Sequence, residues 1–466
     1  MRLGRSGAFN RRDCLLHLGG GIGGLALLDL LMRDGALRCS AAQDRPAPRA
    51  KSVIYLYMSG GPSHLDTFDP KPRLLRDHGK PMPMSVVGRF SSNKVMASPY
   101  TFAQYGQSGT AISDVFPHLA QQADRLTVVR SMVAEHMEHP TANTFMITGS
   151  SLRGRASLGS WVLQGLGSET ESLPGYVVLW NDAPQGGLEL FGNGFLPASA
   201  RCSLWDMRLK NPVGNIAPGD ESFAMRPDKL ELLTKLNNLS FEQFGQSDRL
   251  AAAAANYDLA FRMQSSVPEL LDDREESQQT RRLYGLDDAG TLQFGRQCLL
   301  ARRLVERGVR FVVLLPPTVP GANSWDQHNN LAENLRGNAL LVDKPMAGLL
   351  ADLSNRGLLD ETLVMWGGEF GRTPMAELSD KPPGREHNPH GFTMWFAGGG
   401  MKPGTTYGAT DEFGYAAVEK PVTVHDLHAT ILHLLGIDHT QLTYHYAGRD
   451  FRLTDVYGRV VSDLLA

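Results

Sequence analysis

Residues 52–62 read Ser52-Val-Ile-Tyr-Leu-Tyr-Met-Ser-Gly-Gly-Pro62. An apolar, β-branched and aromatic run without strict alternation stops abruptly at two glycines and a proline. A strand covered on both faces has this form, because neither face needs polar side chains. The glycines and proline then turn the backbone sharply where the strand ends. Open parallel sheets bind ligands at the carboxyl ends of their strands. The residues just past Met58 are therefore the first place to look for chemistry.

Later segments repeat the form. Leu126–Val129 follows a helical stretch around 116–124, Val309–Leu315 follows the helical segment Leu299–Arg307, and Thr362–Trp366 follows the helical segment Ala339–Asn355. Thr393–Ala397 is a fifth candidate strand. Helix, short apolar strand, then glycine or proline loop is the alternation of βαβ units. The spacing predicts an α/β fold: one large domain over 52–466, with a mostly parallel central sheet and helices on both faces. Residues 43–51, rich in proline, arginine and alanine, read as a linker. Residues 228–285 read as mostly helical, while 86–112 and 168–225 are loop-rich, so helical and loop insertions are expected around 168–285.

Composition bounds the function. Of 466 residues, 42% are hydrophobic and 20% charged, which supports a packed core and excludes wholesale disorder. The net charge of -3 gives no strong field for nucleic acid or an anionic membrane, so neither is an expected partner. The chain lacks a CxxC pattern, which argues against a thiolate zinc site. Cys14 and Cys39 fall near the start; Cys202 and Cys298 could form one disulfide in an oxidising compartment.

The first residues read as an address. Arg11-Arg12 precede a moderately apolar, glycine-rich stretch from Leu15 to Met32, and the small residues Ser40, Ala41 and Ala42 follow. Basic, apolar and small residues in that order are the plan of an export signal. Asn10-Arg-Arg-Asp-Cys-Leu15 resembles a twin-arginine signal, so 1–42 is expected to be a signal segment and the mature protein periplasmic or extracellular. The competing reading is an amphipathic helix of the mature fold, suggested by Asp29, Arg33 and Asp34. His17 and Asp29 interrupt the stretch, so no stable membrane span is expected.

Several loops after apolar runs carry ligand-type side chains. His64 and Asp66 lie two apart in the glycine-rich loop after the first strand, and imidazole with carboxylate suits zinc, manganese or calcium. Turn capping by Asp66 and Asp69 competes with that reading. Asp326 and His328 repeat the pattern past a strand that ends in Pro316-Pro317. Glu369 stands at the end of Thr362–Trp366, where a ligand or base would be placed, and Arg372 could bind an anion. Arg385, His387 and His390 immediately precede a strand, and arginine beside histidine suits an oxyanion near a metal. His139 or Thr141, at a helix start, could hold or attack an anion with the help of the helix dipole. The segment Thr423–Gly436 reads as a capped amphipathic helix packed on the sheet, a reading that competes with metal ligation by His425 and His428 at i, i+3 and is preferred to it.

Taken as a set, these stretches resemble the alkaline-phosphatase-like superfamily, and within it a sulfatase-like bacterial family of unknown function. The matching segments are Ser59–Pro72, Ser157–Trp161, Trp325–His328, Gly368–Pro374 and Gly384–His387, with Val424–Gly436 similar to the closing helix of sulfatases. The resemblance implies metal-assisted displacement at a sulfate or phosphate ester of a small molecule or glycan. It assigns Asp326, His328 and His387 (or His390) to one divalent zinc, calcium or manganese ion, while a second metal site would have to be rebuilt from His64, Asp66 and Glu369. Thr141 or His139 falls near the nucleophile, Glu369 stands at a strand end where a ligand or base would be placed, and Arg372 or Arg385 would clamp the substrate anion. Ser59-Gly60 stands where sulfatases have paired aspartates, Glu369-Phe370 where the superfamily has Asp-His, and no Cys-x-Pro-Ser-Arg is present. Those departures leave two expectations: an exported metal-dependent hydrolase, or a binding or assembly protein that kept the fold and lost turnover.

Overall fold

A nine-stranded sheet organises the protein. Its strands are β1 (Ser52–Tyr57), β2 (Thr127–Val133), β3 (Tyr176–Trp180), β4 (Ser203–Asp206), β5 (Phe311–Leu315), β6 (Thr362–Gly367), β7 (Phe392–Ala397), β8 (Thr405–Tyr407) and β9 (Val422–Thr423). They lie in the order β8-β2-β7-β6-β1-β5-β3-β4, and β9 also pairs with β2. The computed structural model describes residues 46–86, 91–214, 231–232, 235–236, 239, 248–319 and 324–466, with the backbone alone at 248–258 and 265. The expected signal segment, with Cys14 and Cys39, lies outside the described residues.

The run that opens the sequence is the centre of the sheet. β1 pairs in parallel with β5 on one side (Val53 opposite Phe311) and with β6 on the other (Ser52 opposite Thr362). Every residue of β1 is buried. Alternate side chains enter two separate cores, as the two-residue period of a strand requires. Ile54, Leu56 and Met58 join one core, Val53, Tyr55 and Tyr57 the other. Only β7 runs against its neighbours, pairing antiparallel with β2 and β6.

Helices cover both faces. On the first side lie α4 (Leu292–Glu306) and α5 (Leu331–Asn355), which contribute Phe294, Leu304, Leu335 and Leu349 to the core. On the second lie α1 (His139–Thr148), α2 (Leu158–Leu166) and α6 (Val424–Leu434), which contribute Phe145, Trp161 and Ile431. A further long helix among the described residues, α3, is Asp248–Leu271. The expected α/β class with a mostly parallel sheet is what the structure has.

Two details differ from the sequence reading. Within the span expected to hold loop and helical insertions, β3 and β4 extend the sheet beside β5 in parallel. Tyr176-Val-Val-Leu-Trp180 has the same apolar form as β1, but its glycine-, serine- and proline-rich surroundings outweigh five residues of signal. Cys202 and Cys298 are free thiols rather than a disulfide; Cys298 is wholly buried in α4, and burial pushes the Cys202 thiol up to about 12. The reading of the closing helix holds. Thr423 accepts from the Asp426 N–H and Asp426 accepts from the Thr423 N–H, a reciprocal capping box. His425 and His428 bond the carbonyls of Gly149 and Met146 at the end of α1. Among the described residues no helix is long and apolar enough to cross a membrane.

Candidate metal centre

Four loops meet past the carboxyl ends of β1, β2, β5 and β6. The first, after β1, turns at Gly60 with φ +114°. A Cβ there would lie 2.6 Å from the Asp326 nitrogen and 2.8 Å from the Trp325 nitrogen, so only glycine lets the β1 and β5 loops touch. The second leads from β2 into α1 and sets His139 in the helix's first turn, followed by Pro140. The third carries Asp326 and His328. The fourth is a short antiparallel pair, Gly371–Arg372 with His387–Asn388, which places His387 opposite Arg372.

These loops bring together His139, Asp326, His328 and His387, one ligand atom of each lying within 4.8 Å of the others. Asp326 Oδ1 is the hub. It lies 3.1 Å from His139 Nε2, 2.8 Å from His328 Nε2 and 3.3 Å from His387 Nε2, and His328 Nε2 is 2.9 Å from His387 Nε2. Bond lengths of zinc to nitrogen and oxygen of about 2.0–2.1 Å put the donors of a tetrahedral site roughly 3.3 Å apart. The observed spacings are close to that edge.

The hydrogen-bond chemistry points the same way. His387 Nδ1 lies 2.6 Å from the Met137 carbonyl oxygen, which only accepts, so Nδ1 carries the hydrogen and a neutral ring turns a lone pair inward at Nε2. His328 Nδ1 lies 2.5 Å from Glu377 Oε2, and His139 Nδ1 lies 2.6 Å from Glu369 Oε1. Each ring thus gives its outer nitrogen to a carboxylate or carbonyl, the arrangement that fixes metal-ligating histidines. Inner nitrogens and a carboxylate oxygen facing one another at these distances repel unless a cation or protons sit among them. His139 Nε2 is buried without an aligned hydrogen bond, although Asp326 is near. Donor type, spacing and outer partners together fit a divalent ion.

Without an ion the cluster gathers protons. Burial works against a charged His139, but the carboxylates of Asp326 and Glu369 overcome it and raise its pKa to about 9. His328 is likewise raised against the cost of burial, chiefly by Asp326. His387 goes down, through burial first. Despite burial, the three imidazoles and Arg372 hold the Asp326 carboxyl far below the usual carboxylate range.

Arg372 is wholly buried behind the cluster. Its Nη2 donates to Asp326 Oδ1 at 2.6 Å and to the Gly60 carbonyl, its Nε to the Gly61 carbonyl and its Nη1 to the Arg385 carbonyl. Arg385, equally buried, forms a two-pronged pair with Asp66, Nε to Oδ2 at 2.7 Å and Nη2 to Oδ1 at 3.2 Å. His64 lies apart from the cluster, its Nε2 on the Gly414 carbonyl at 2.8 Å. His390 stands beside Tyr415 with its Nε2 buried and unpartnered. Thr141 is half-buried in the first turn of α1.

The structure therefore brings Asp326, His328, His387, His139, Glu369 and Arg372 together, and sets His64, Asp66, His390 and Arg385 outside that contact. Glu377 and the Met137 carbonyl complete the outer layer. Glu377 follows Met375-Ala376 in a stretch with no ligand-like pattern, and a carbonyl leaves no trace in side-chain identity. A crevice of about 330 Å³ opens onto His139 and Asp326, walled by Tyr57, Ser59, Asp182 and Thr318. It lies at the carboxyl ends of β1, β3 and β5, where an open parallel sheet leaves room for a ligand.

Comparison with curated proteins finds no match. Solved structures similar to the chain include the lipoteichoic acid synthase LtaP from Listeria monocytogenes, at 10% identity and a TM-score of 0.40, covering 86% of this chain and 76% of that one. The PsFucS1 sulfatase from Pseudoalteromonas sp. is similar at 12% identity and a TM-score of 0.36, covering 89% and 70%. A protein in the alkaline phosphatase superfamily from Vibrio parahaemolyticus is similar at 12% identity and a TM-score of 0.34, covering 85% and 70%. A family model described as a protein of unknown function, DUF1501, matches residues 50–465, and the chain belongs to that family.

Proposed function

We propose that this protein is an exported, metal-dependent hydrolase of sulfate or phosphate esters. The single observation that carries the reading is the convergence of three imidazole Nε2 atoms on Asp326 Oδ1 at 2.8–3.3 Å, beside a crevice at the strand ends. His139, Asp326, His328 and His387 would hold one divalent ion, with zinc favoured by the N₃O donor set. Such an ion supplies Lewis acidity toward an ester oxygen and acidifies water.

The chain's own groups do the rest. Glu369 fixes the ring of His139, Glu377 that of His328 and the Met137 carbonyl that of His387, so the three imidazole donors are set before a ligand arrives. Arg372 offsets the Asp326 charge from behind and ties the carbonyls of residues 60 and 61 to it. In this reading Arg372 positions the centre while the ester occupies the crevice in front.

Elemental analysis of the purified protein, beside a panel of aryl sulfates and phosphates, tests the proposal. About one ion per chain, lost in His328→Ala together with turnover, is the expected result. Protein with neither metal nor turnover moves the choice to a binding or assembly protein. One observation favours that second reading: Glu369 is already committed to the Gly60 N–H and His139. It is not free to build a second metal position.

A further inference from the structure

A second pocket, of about 180 Å³, lies at the opposite end of α1 from His139, beyond Thr148 and Gly149. Its walls come from the end of α1, from Arg155, and from residues 451–457. Arg155 is its distinctive group. The guanidinium sits 4.5 Å from the Phe451 ring centre and 5.8 Å from that of Phe195. Among the described residues it has no hydrogen bond and no ion pair, so the two rings hold a cation whose donors are unspent. Two neighbouring arginines are committed. Arg452 donates to the Asp455 carbonyl, and Arg449 pairs with the Asp455 carboxylate.

A guanidinium stacked on aromatic rings is rigid, weakly hydrated and shaped for two parallel hydrogen bonds to a planar or tetrahedral anion. The rest of the wall suits a ring with hydroxyl groups. Tyr457, 61% exposed, lines the pocket with its ring braced 5.0 Å from that of His425. Glu135 and Ser151, both exposed, add acceptors and a hydroxyl donor. At 180 Å³ the space is below the roughly 300–1,000 Å³ of sites for drug-sized ligands, so it admits one ring rather than a large molecule. Outside the pocket, Tyr446, 50% exposed, stacks on Phe195 and extends the aromatic surface.

We propose that this pocket binds an anionic sugar unit, carboxylated or sulfated, with Arg155 gripping the anion and Tyr457 stacking on the ring. The site is separate from the candidate metal centre and stands whether or not that centre turns over.

Calorimetric titration of the full chain with tetragalacturonate, a galactose sulfate and uncharged maltotetraose tests it, and the two acidic arms tell carboxylate from sulfate. Saturable binding of an acidic probe is expected, at least tenfold tighter than maltotetraose. Arg155→Gln and Arg155→Lys should each weaken it at least tenfold, because lysine keeps the charge but loses the fork. Tyr457→Ala, at an exposed ring, should weaken it several-fold with the melting temperature unchanged. His328→Ala should bind as the parent does. Equal binding of charged and uncharged probes overturns the proposal. So does full affinity in Arg155→Lys, binding of sulfate or acetate alone as tightly as the saccharides, or no binding at millimolar probe.

Discussion

The carboxylate of Glu369 holds the His139 ring and the Gly60 backbone at once: Oε1 is 2.6 Å from His139 Nδ1, and the two oxygens lie 2.9 and 3.1 Å from the Gly60 N–H. One wholly buried side chain at the end of β6 thereby joins the loop after β1 to the first turn of α1. Glu369→Gln keeps the volume but replaces an acceptor-only group with an amide. Loss of an outer partner of this kind typically lowers metal affinity about 10–100-fold. Competition for the ion against a coloured chelator should show that drop while one ion per chain still binds at saturation. Unchanged affinity would mean that the His139 ring is fixed by packing alone.

Removing a donor has a larger consequence than weakening its support. Asp326→Asn leaves three inner imidazole nitrogens without the carboxylate that draws them together and leaves Arg372 buried without its counter-charge. Metal stoichiometry is expected to fall below detection. Chelation should lower the melting temperature of the parent but not of the variant, because an ion that binds only the folded state stabilises it by mass action. Equal chelator sensitivity in the two proteins would show that the ion sits elsewhere.

Asp66 and Arg385 offer the contrasting case. Both are fully buried and paired, and neither touches the His139–Asp326 cluster. Replacing one member of such a pair leaves an unmatched interior charge, which costs roughly 3–5 kcal/mol. Asp66→Ala should therefore lose stability of that order in urea, while the folded fraction keeps its metal. A variant as stable as the parent but empty of metal would instead put Asp66 among the ligands.

How much of this was legible in the sequence follows from what a sequence encodes. The buried run at 52–57 shows both its strand and its central place, since only a strand covered on both faces dispenses with polar residues. Asp326, His328 and His139 stand out by type and by position after strands, and His387 by type beside Arg385 just before one. Direction is not encoded in that way. His64 follows the end of β1 more closely than Asp326 follows that of β5, yet the 3₁₀ turn His64–Asp66 sends its ring to the Gly414 carbonyl. Arg372 and Arg385 have the chemistry of anion clamps, but which carbonyls surround a guanidinium depends on loops more than ten residues apart meeting in space. The Glu377 contact to His328 is of the same kind, and nothing local to residue 377 announces it.

His428 governs an acid-sensitive step away from the centre. It is wholly buried on α6, and burial, helped by nearby His425, lowers its pKa from 6.5 to about 3 although Nε2 bonds the Met146 carbonyl. The folded protein therefore keeps the ring neutral while the unfolded chain takes up a proton below about pH 6.5. Because the unfolded state binds more protons, stability falls as pH drops from about 6.5 toward 3. This one group contributes at most about 1.4 kcal/mol per pH unit. His428→Gln keeps a donor near the Met146 carbonyl and removes the titration. Its urea stability should fall less steeply than the parent's between pH 6 and 4, even if it starts lower. Parallel slopes in that range would show that His428 is not the group taking up the proton.

Gly60 closes the link between backbone and chemistry. Its φ of +114° lies where side chains are strained, and a Cβ would press within 3 Å of the Trp325 and Asp326 backbone. Strain of this kind costs about 1–3 kcal/mol when the surroundings hold firm. Here they have a way to yield, because the β5 loop that would move carries Asp326, the hub of the cluster. Gly60→Ala should thus lose metal affinity out of proportion to stability: a modest fall in melting temperature with at least a tenfold rise in the metal dissociation constant. The loop cannot retreat without taking Oδ1 away from the three imidazoles. A variant that melts early yet binds metal as the parent does would show that the strain is absorbed on the β1 side, leaving the Asp326 loop where it is.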